Sequence, residues 1–262
     1  MRTIEPVHID IPGGEHLRGD LHFNRLPGEH AIVFVHGFGS RRDGEKSIAL
    51  ANACERASNT YFCFDFRGHG DSSGTMRELR PTRMIEDLAT VRDYLASRGI
   101  KQLGLVGSSM GGFASVWFAL QSKEVYACAL IAPAFRFLER RWNLMSEAER
   151  LKWQTVGWMR YKNNYVDVEV GYGLMEEHTL FPWDQLAKQW TKPALIFHGT
   201  RDETVPHRDS IEFLDKANDG NIELRLFKNG DHRLVAYKDE MAAEACRFLA
   251  TKLPTNSRVS FA

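Results

Sequence analysis

A chain of 262 residues, 43% hydrophobic and 26% charged, is long enough to bury a sizeable core in one large domain or two small ones. Its 34 basic and 34 acidic side chains cancel, so no global field recruits nucleic acid or an anionic membrane, and neither partner is expected. No window is apolar over the length of a bilayer, the N-terminal MRTIEPVHIDIPGG lacks the apolar run of a secretory signal, and Cys54, Cys63, Cys128 and Cys246 form no CxxC pair, so a reduced, cytoplasmic protein is expected.

In chain order, PVHIDIP and HLRGDLHF alternate in polarity around Gly13-Gly14 and read as an opening antiparallel pair. AIVFVHG (31–37), TYFCFDF (60–66), QLGLVGS (102–108), YACALIAP (126–133) and PALIFHG (193–199) are short and largely apolar. That is the mark of strands buried on both faces, as in a parallel sheet. Helical spacing separates them at 43–57, 82–98 and 110–121. A helix around 207–217, a strand at 222–228 and a helix around 236–252 complete the pattern, and the residues after Pro254 are expected to be loose. Alternating strands and helices predict an α/β, doubly wound, mostly parallel sheet of about eight strands.

About sixty residues separate the strands at 126–133 and 193–199, far more than a crossover helix needs. This interval holds five of the six tryptophans, together with Phe135, Phe137, Tyr161, Tyr165, Tyr172 and Phe181. Such an aromatic-rich stretch is read as an inserted cap over 135–190, dividing a core made of 1–134 and 191–253. Trp142, Trp153, Trp158 and Trp183 are its candidate substrate-binding rings; the alternative is that they glue the insertion to the sheet.

Gly107-Ser108-Ser109-Met110-Gly111 matches G-x-S-x-G, between a strand and a helix as that motif requires. A sharp strand-to-helix turn crowds the residues two before and two after its apex, so only small side chains fit there. Ser109 at the apex places Gly107 and Gly111 in those positions; Ser108 would place Val106 and Met110 there. Ser109 is therefore the candidate nucleophile, and it needs a base. Of ten histidines, His232 lies after the last strand, at the carboxyl edge where open α/β sheets bind ligands. Asp202, in HGTRDETVP, lies at the same edge and is the candidate orienting acid. Asp231 is its rival, although side chains of sequence neighbours usually diverge. The oxyanion hole is assigned to the backbone N–H of Met110, after the nucleophile, and of Phe38, in the HGFGS loop after the first parallel strand. Arg41 and Arg42, just beyond, could meet an anionic substrate or open a solvated helix face.

HGFG, FDFRGHGDSSG, GSSMGG, HGTRDETVP and GDH resemble the landmarks of the α/β-hydrolase superfamily over about residues 30–250. The layout resembles small intracellular carboxylesterases of the feruloyl and cinnamoyl esterase group, and the GSS elbow with DHR resembles the mitochondrial acyl-protein thioesterase group. The resemblance implies an α/β-hydrolase fold with a helical cap after the sixth strand, and Ser109, Asp202 and His232 as triad. Ser108 departs from the esterases, many of which have histidine before the nucleophile. The expected activity is cleavage of small-molecule carboxylic esters with hydrophobic or aromatic acyl groups through an acyl-enzyme. Thioester, C–C bond or perhydrolase chemistry on the same triad are the alternatives, and neither cofactor nor metal is expected.

Overall fold

Alternate side chains of the central strands enter two separate apolar layers, and that alternation builds the molecule. The computed structural model describes residues 2–163, 166–218 and 221–254; Tyr165 and the tail after Pro254 lie outside them. The opening strands β1 (Arg2–Ile11) and β2 (Glu15–Asn24) pair antiparallel from Ile11↔Glu15 outward. Gly13 and Gly14 make the turn at φ +93° and +82°, which L side chains rarely adopt.

Next come β3 (His30–Val35), α1 (Glu45–Arg56), β4 (Thr60–Asp65), α2 (Pro81–Ser97), β5 (Gln102–Ser108), α3 (Met110–Gln121) and β6 (Val125–Ile131). α2 starts with proline, whose missing N–H costs nothing in a first turn. The eight-stranded sheet runs β1-β2-β4-β3-β5-β6-β9-β10, closing on β9 (Ala194–Gly199) and β10 (Ile222–Phe227), and its six strands from β4 to β10 are parallel. In β3, Ala31, Val33 and Val35 join a core with α2 and α3, while Ile32 and Phe34 join a second core with α1 and α9 (Lys238–Lys252). Successive strand residues point to opposite faces, so a sheet covered on both sides needs continuous apolar runs. The helix α8 (His207–Lys216) joins β9 to β10 and buries Phe213 in the first core.

Between β6 and β9 the helical segment expected after the sixth strand also carries a short ribbon. It contains α4 (Phe137–Asn143), α5 (Glu147–Val156), α6 (Gly173–Glu176) and α7 (Trp183–Gln189), but also an antiparallel ribbon of β7 (Trp158–Lys162) and β8 (Asp167–Gly171). Gly157, at φ +82°, ends α5 in a left-handed cap, and the alternating, valine-containing sequence beyond it suits a pleated ribbon better than a helix. Arg160 clamps the ribbon to Asp167 at 2.6 Å.

Candidate active site

Strand β3 is the switch point of the sheet: the chain passes from it to β4 on one side and β5 lies on the other. Crevices form at the carboxyl ends of strands around such a point. Four loops from carboxyl ends supply the site: those after β3, β5, β9 and β10.

The loop after β5 is a single residue. Ser109 sits at φ 54°, ψ −116°, a conformation costly for any residue with a Cβ. The flanking glycines are required by close approach. A Cβ on Gly107 would lie 2.6 Å from the Gly111 carbonyl oxygen, and one on Gly111 would lie 2.1 Å from that of Val35. The turn is thus crowded by its own helix and by the neighbouring strand. Its backbone is pinned as well, with the Ser109 N–H donating to the Ile131 carbonyl at 2.9 Å.

The loops after β9 and β10 are tied to each other before they are tied to the serine. Arg201 N–H donates to the Gly230 carbonyl at 2.9 Å, and Asn229 N–H donates to Thr200 Oγ1 at 2.9 Å. This brings Asp202 and His232 together: His232 Nδ1–H donates to Asp202 Oδ2 at 2.7 Å, and Ser109 Oγ–H donates to His232 Nε2 at 3.0 Å. Asp231, the rival acid, spends its carboxylate on the Leu234 N–H at 2.8 Å within its own turn. Lys46 of α1 braces the same turn through the Arg233 carbonyl at 2.9 Å, and burial lowers its ammonium pKa to about 8.

Asp202 also accepts from the N–H groups of Thr204 and Val205 at 2.9 and 2.7 Å and from His198 Nε2 at 3.2 Å. Burial pushes its pKa up, but the hydrogen bonds from His198 and His232 outweigh burial and hold the carboxyl well below the usual carboxylate range. His198 faces only acceptors at Nε2, Asp202 and the Val205 carbonyl, so that nitrogen carries a proton and Nδ1 accepts from Ser210 Oγ at 2.7 Å.

The HGFGS loop after β3 runs against the elbow, where a Cβ on Gly37 would stand 3.3 Å from Ser109 Cβ. Two buried histidines shape it. His36 Nδ1–H donates to the Gly37 carbonyl at 2.8 Å while its Nε2 accepts from Phe66 N–H, and His69 Nε2 accepts from Gly39 N–H at 3.2 Å. Burial lowers the pKa of His36 to about 4 and that of His69 to about 3, so both stay neutral at neutral pH. Met110 is the first residue of α3, whose opening N–H groups have no partner within the helix.

Arg42 proves structural. It binds Asp20 at 2.9 Å and Asp71 at 2.8 Å, together with the fully buried Asp65, while Arg41 reaches Asp43 and Asp71. FDFRGHGDSSG is therefore a knot of ion pairs beneath the loops; in it Arg67 is held by Asp87, Glu15 and Glu86.

The candidate substrate-binding rings Trp142, Trp153, Trp158 and Trp183 each have protein groups against them, with Trp153 and Trp183 buried and Trp142 and Trp158 half-buried. Trp153 is 2% exposed, donates to the Val170 carbonyl at 3.1 Å and meets Tyr172 edge-on. Trp183 packs on Phe135 and Phe213 under Arg136. Trp142 lies between His178 and Arg150, and Trp158 lies under Arg77 at 4.2 Å. An insertion of this size needs a core of its own, and the largest rings supply it. Among the described residues, the rings against Phe38 are Phe137 at 6.1 Å and Tyr161 at 5.5 Å; Phe137 continues to Phe113, and Phe113 to Phe181. The turn of the ribbon also reaches the loop, where a Cβ on Gly39 would fall 2.7 Å from Val166 Cγ2. Sequence reading passes over His36, His69 and His198; for His36 and His198 an HG pair ending an apolar strand is the available signal. For Phe137 and Tyr161 there is none beyond aromatic content.

Comparison with known proteins places this architecture. The model of the prolyl oligopeptidase family matches residues 54–255. The chain belongs to that family. It is 27% identical over 223 residues to the bovine (Bos taurus) palmitoyl-protein thioesterase ABHD10, mitochondrial, covering 82% of this chain and 71% of the relative. It is 26% identical over 213 residues to the putative esterase/lipase 2 of Mycoplasma pneumoniae, covering 72% and 78%. The structure of mouse alpha/beta hydrolase domain-containing protein 10 superposes with TM-score 0.82 at 22% identity, covering 95% of this chain and 100% of that one. Est1E from Butyrivibrio proteoclasticus with bound ferulic acid superposes with TM-score 0.83 at 18% identity, covering 94% and 99%. The fold is the α/β-hydrolase fold. Among the described residues no group of three or more His, Cys, Asp or Glu side chains is placed to hold a metal, and no helix is long and apolar enough to cross a membrane.

Proposed function

We propose that the protein is a serine hydrolase of small-molecule carboxylic esters that works through an acyl-enzyme. The observation that carries the reading is the unbroken hydrogen-bond line Ser109–His232–Asp202, at 3.0 and 2.7 Å, ending on a serine held in a strained turn. His232 Nε2 takes the Ser109 proton as Oγ attacks the carbonyl carbon, then delivers it to the leaving oxygen. Water repeats the sequence in reverse and frees the acid. Asp202 keeps the imidazole in the tautomer with Nδ1–H and stabilises the imidazolium. The oxyanion falls to the N–H groups of Met110 and Phe38. Gly39 and Ser40 spend theirs on His69 and Gly37, which supports Phe38 as the donor of that loop.

The acyl group is placed against the apolar surface formed by Phe38, Phe137 and Tyr161, with residues 135–190 acting as the cap. A thioester is the second reading, favoured by the thioesterase name of the mammalian relatives. A cytoplasmic location belongs to the proposal and is supported by four free, buried cysteines; Cys54 and Cys246 stand unlinked with Sγ atoms 3.5 Å apart. The test is a panel of p-nitrophenyl esters, acyl thioesters and a prolyl p-nitroanilide with Ser109→Ala as blank. Ester turnover lost in Ser109→Ala is expected; turnover that survives the substitution overturns the reading.

A further inference from the structure

A cation beside the site has no carboxylate in contact among the described residues; Glu149 acts on it only from beyond ion-pair distance. Arg141, on α4, is only partly exposed and its guanidinium lies over the Tyr161 ring, 4.6 Å from the centroid. Its polar contact is Nη2–H to the Met159 sulfur at 3.6 Å, a weak acceptor. No carboxylate of the described residues comes within ion-pair distance of it, whereas Arg136 binds Glu212 at 2.7 Å and Arg160 binds Asp167. Burial holds the Arg141 pKa below the ordinary arginine value, whereas carboxylates outweigh burial at Arg42 and Arg67 and raise theirs. A half-buried cation without a contacting carboxylate is costly, and an anion that arrives there is bound more strongly than it would be in water.

The position is informative. Tyr161, beneath the guanidinium, meets the Phe38 ring edge-on at 5.5 Å, and Phe38 belongs to the loop that packs on Ser109. Tyr161 thus links the cation to the Phe38 loop.

We propose that Arg141 binds a carboxylate at the far end of the substrate's acyl chain, making the preferred substrates half-esters of dicarboxylic acids. This rests on the ester-hydrolase reading and adds its substrate class. The apolar rings pack the chain; the guanidinium reads its end. Arg accommodates a carboxylate bidentately, and its charge persists at any working pH.

The experiment compares p-nitrophenyl octanoate with the p-nitrophenyl monoester of octanedioic acid on wild type, Arg141→Gln and Arg141→Lys. The wild type is expected to prefer the half-ester. Arg141→Gln is expected to lose that preference by about ten-fold, mainly through KM, with octanoate turnover unchanged; Arg141→Lys recovers part of it. A parallel measurement needs no turnover: octanedioate raises the Tm of wild type but not of Arg141→Gln. An unchanged ratio in Arg141→Gln, an equal loss on both esters, or no Tm shift in wild type overturns the proposal. A wild type that is stabilised by octanedioate yet cleaves neither ester overturns the ester reading and leaves the carboxylate site standing.

Discussion

His198 Nε2 donates to Asp202 Oδ2 across 3.2 Å in a spot where neither side chain touches solvent. The acid of the proposed relay is thus shared between an imidazole that can move a proton and one that is locked by Ser210 and Val205. His198→Phe removes that donor and leaves Ser210 Oγ unpaired, at a cost of about 1–3 kcal/mol in stability. Steady-state kinetics on a p-nitrophenyl ester are expected to show kcat down by about ten-fold with KM little changed. Asp202→Asn, which disturbs the tautomer itself, is expected to lower kcat by about 10³–10⁴-fold. Equal losses in the two variants would show that His198 is as deeply involved as the acid.

The elbow stores strain that can be released. Ser109 is at φ 54° and glycine tolerates that region freely, so Ser109→Gly is expected to gain about 1 kcal/mol of stability while losing ester turnover. Urea unfolding measures the first and the p-nitrophenyl assay the second. Gly111→Ala points the other way. Its Cβ would meet the Val35 carbonyl at 2.1 Å, with no flexible side chain to give way, and failure to accumulate as folded protein is expected.

Acid should loosen the loops around the site. His36 and His69 have folded pKa values of about 4 and 3, below the ordinary 6.5, because burial penalises their charged forms. The unfolded chain therefore binds more protons than the folded one between those values, and stability rises with pH through that window. What they contribute is complete above about pH 6.5 and is lost as pH falls toward 4 and then 3. Thermal melts from pH 8 to 4 are expected to show Tm falling below pH 6.5, with a shallower fall in His69→Gln. A pH-independent Tm across that range would refute the assignment.

Rings that pack the insertion and rings that meet the substrate should separate by assay. Trp153→Ala leaves a cavity and an unpaired Val170 carbonyl, so a loss of about 3–5 kcal/mol with unaltered acyl-chain preference is expected. Phe137→Ala removes a ring against Phe38 and is expected to shift the preferred acyl chain towards longer or bulkier groups at small cost in Tm. The reverse pattern would return the pocket to the tryptophans.

Much of this molecule is legible in its sequence because its strands are short apolar runs and its turns demand glycine, both of which are local facts. Steric crowding at Gly107 and Gly111 singles out Ser109 without reference to anything distant, and chain order alone puts Asp202 and His232 at one edge of a sheet. The ribbon β7–β8 is harder to read, since each of its strands is only five residues long and so short an alternation gives a weak period. Nor can sequence sort aromatics into packing and pocket, or tell Arg42, closed by three carboxylates, from Arg141, which has none in contact among the described residues. Those distinctions depend on which side chains from distant segments meet across the sheet's edge. Period and composition set the fold, because burial and backbone geometry act along the chain; charge pairing and ring contact act through space, and only the folded chain decides them.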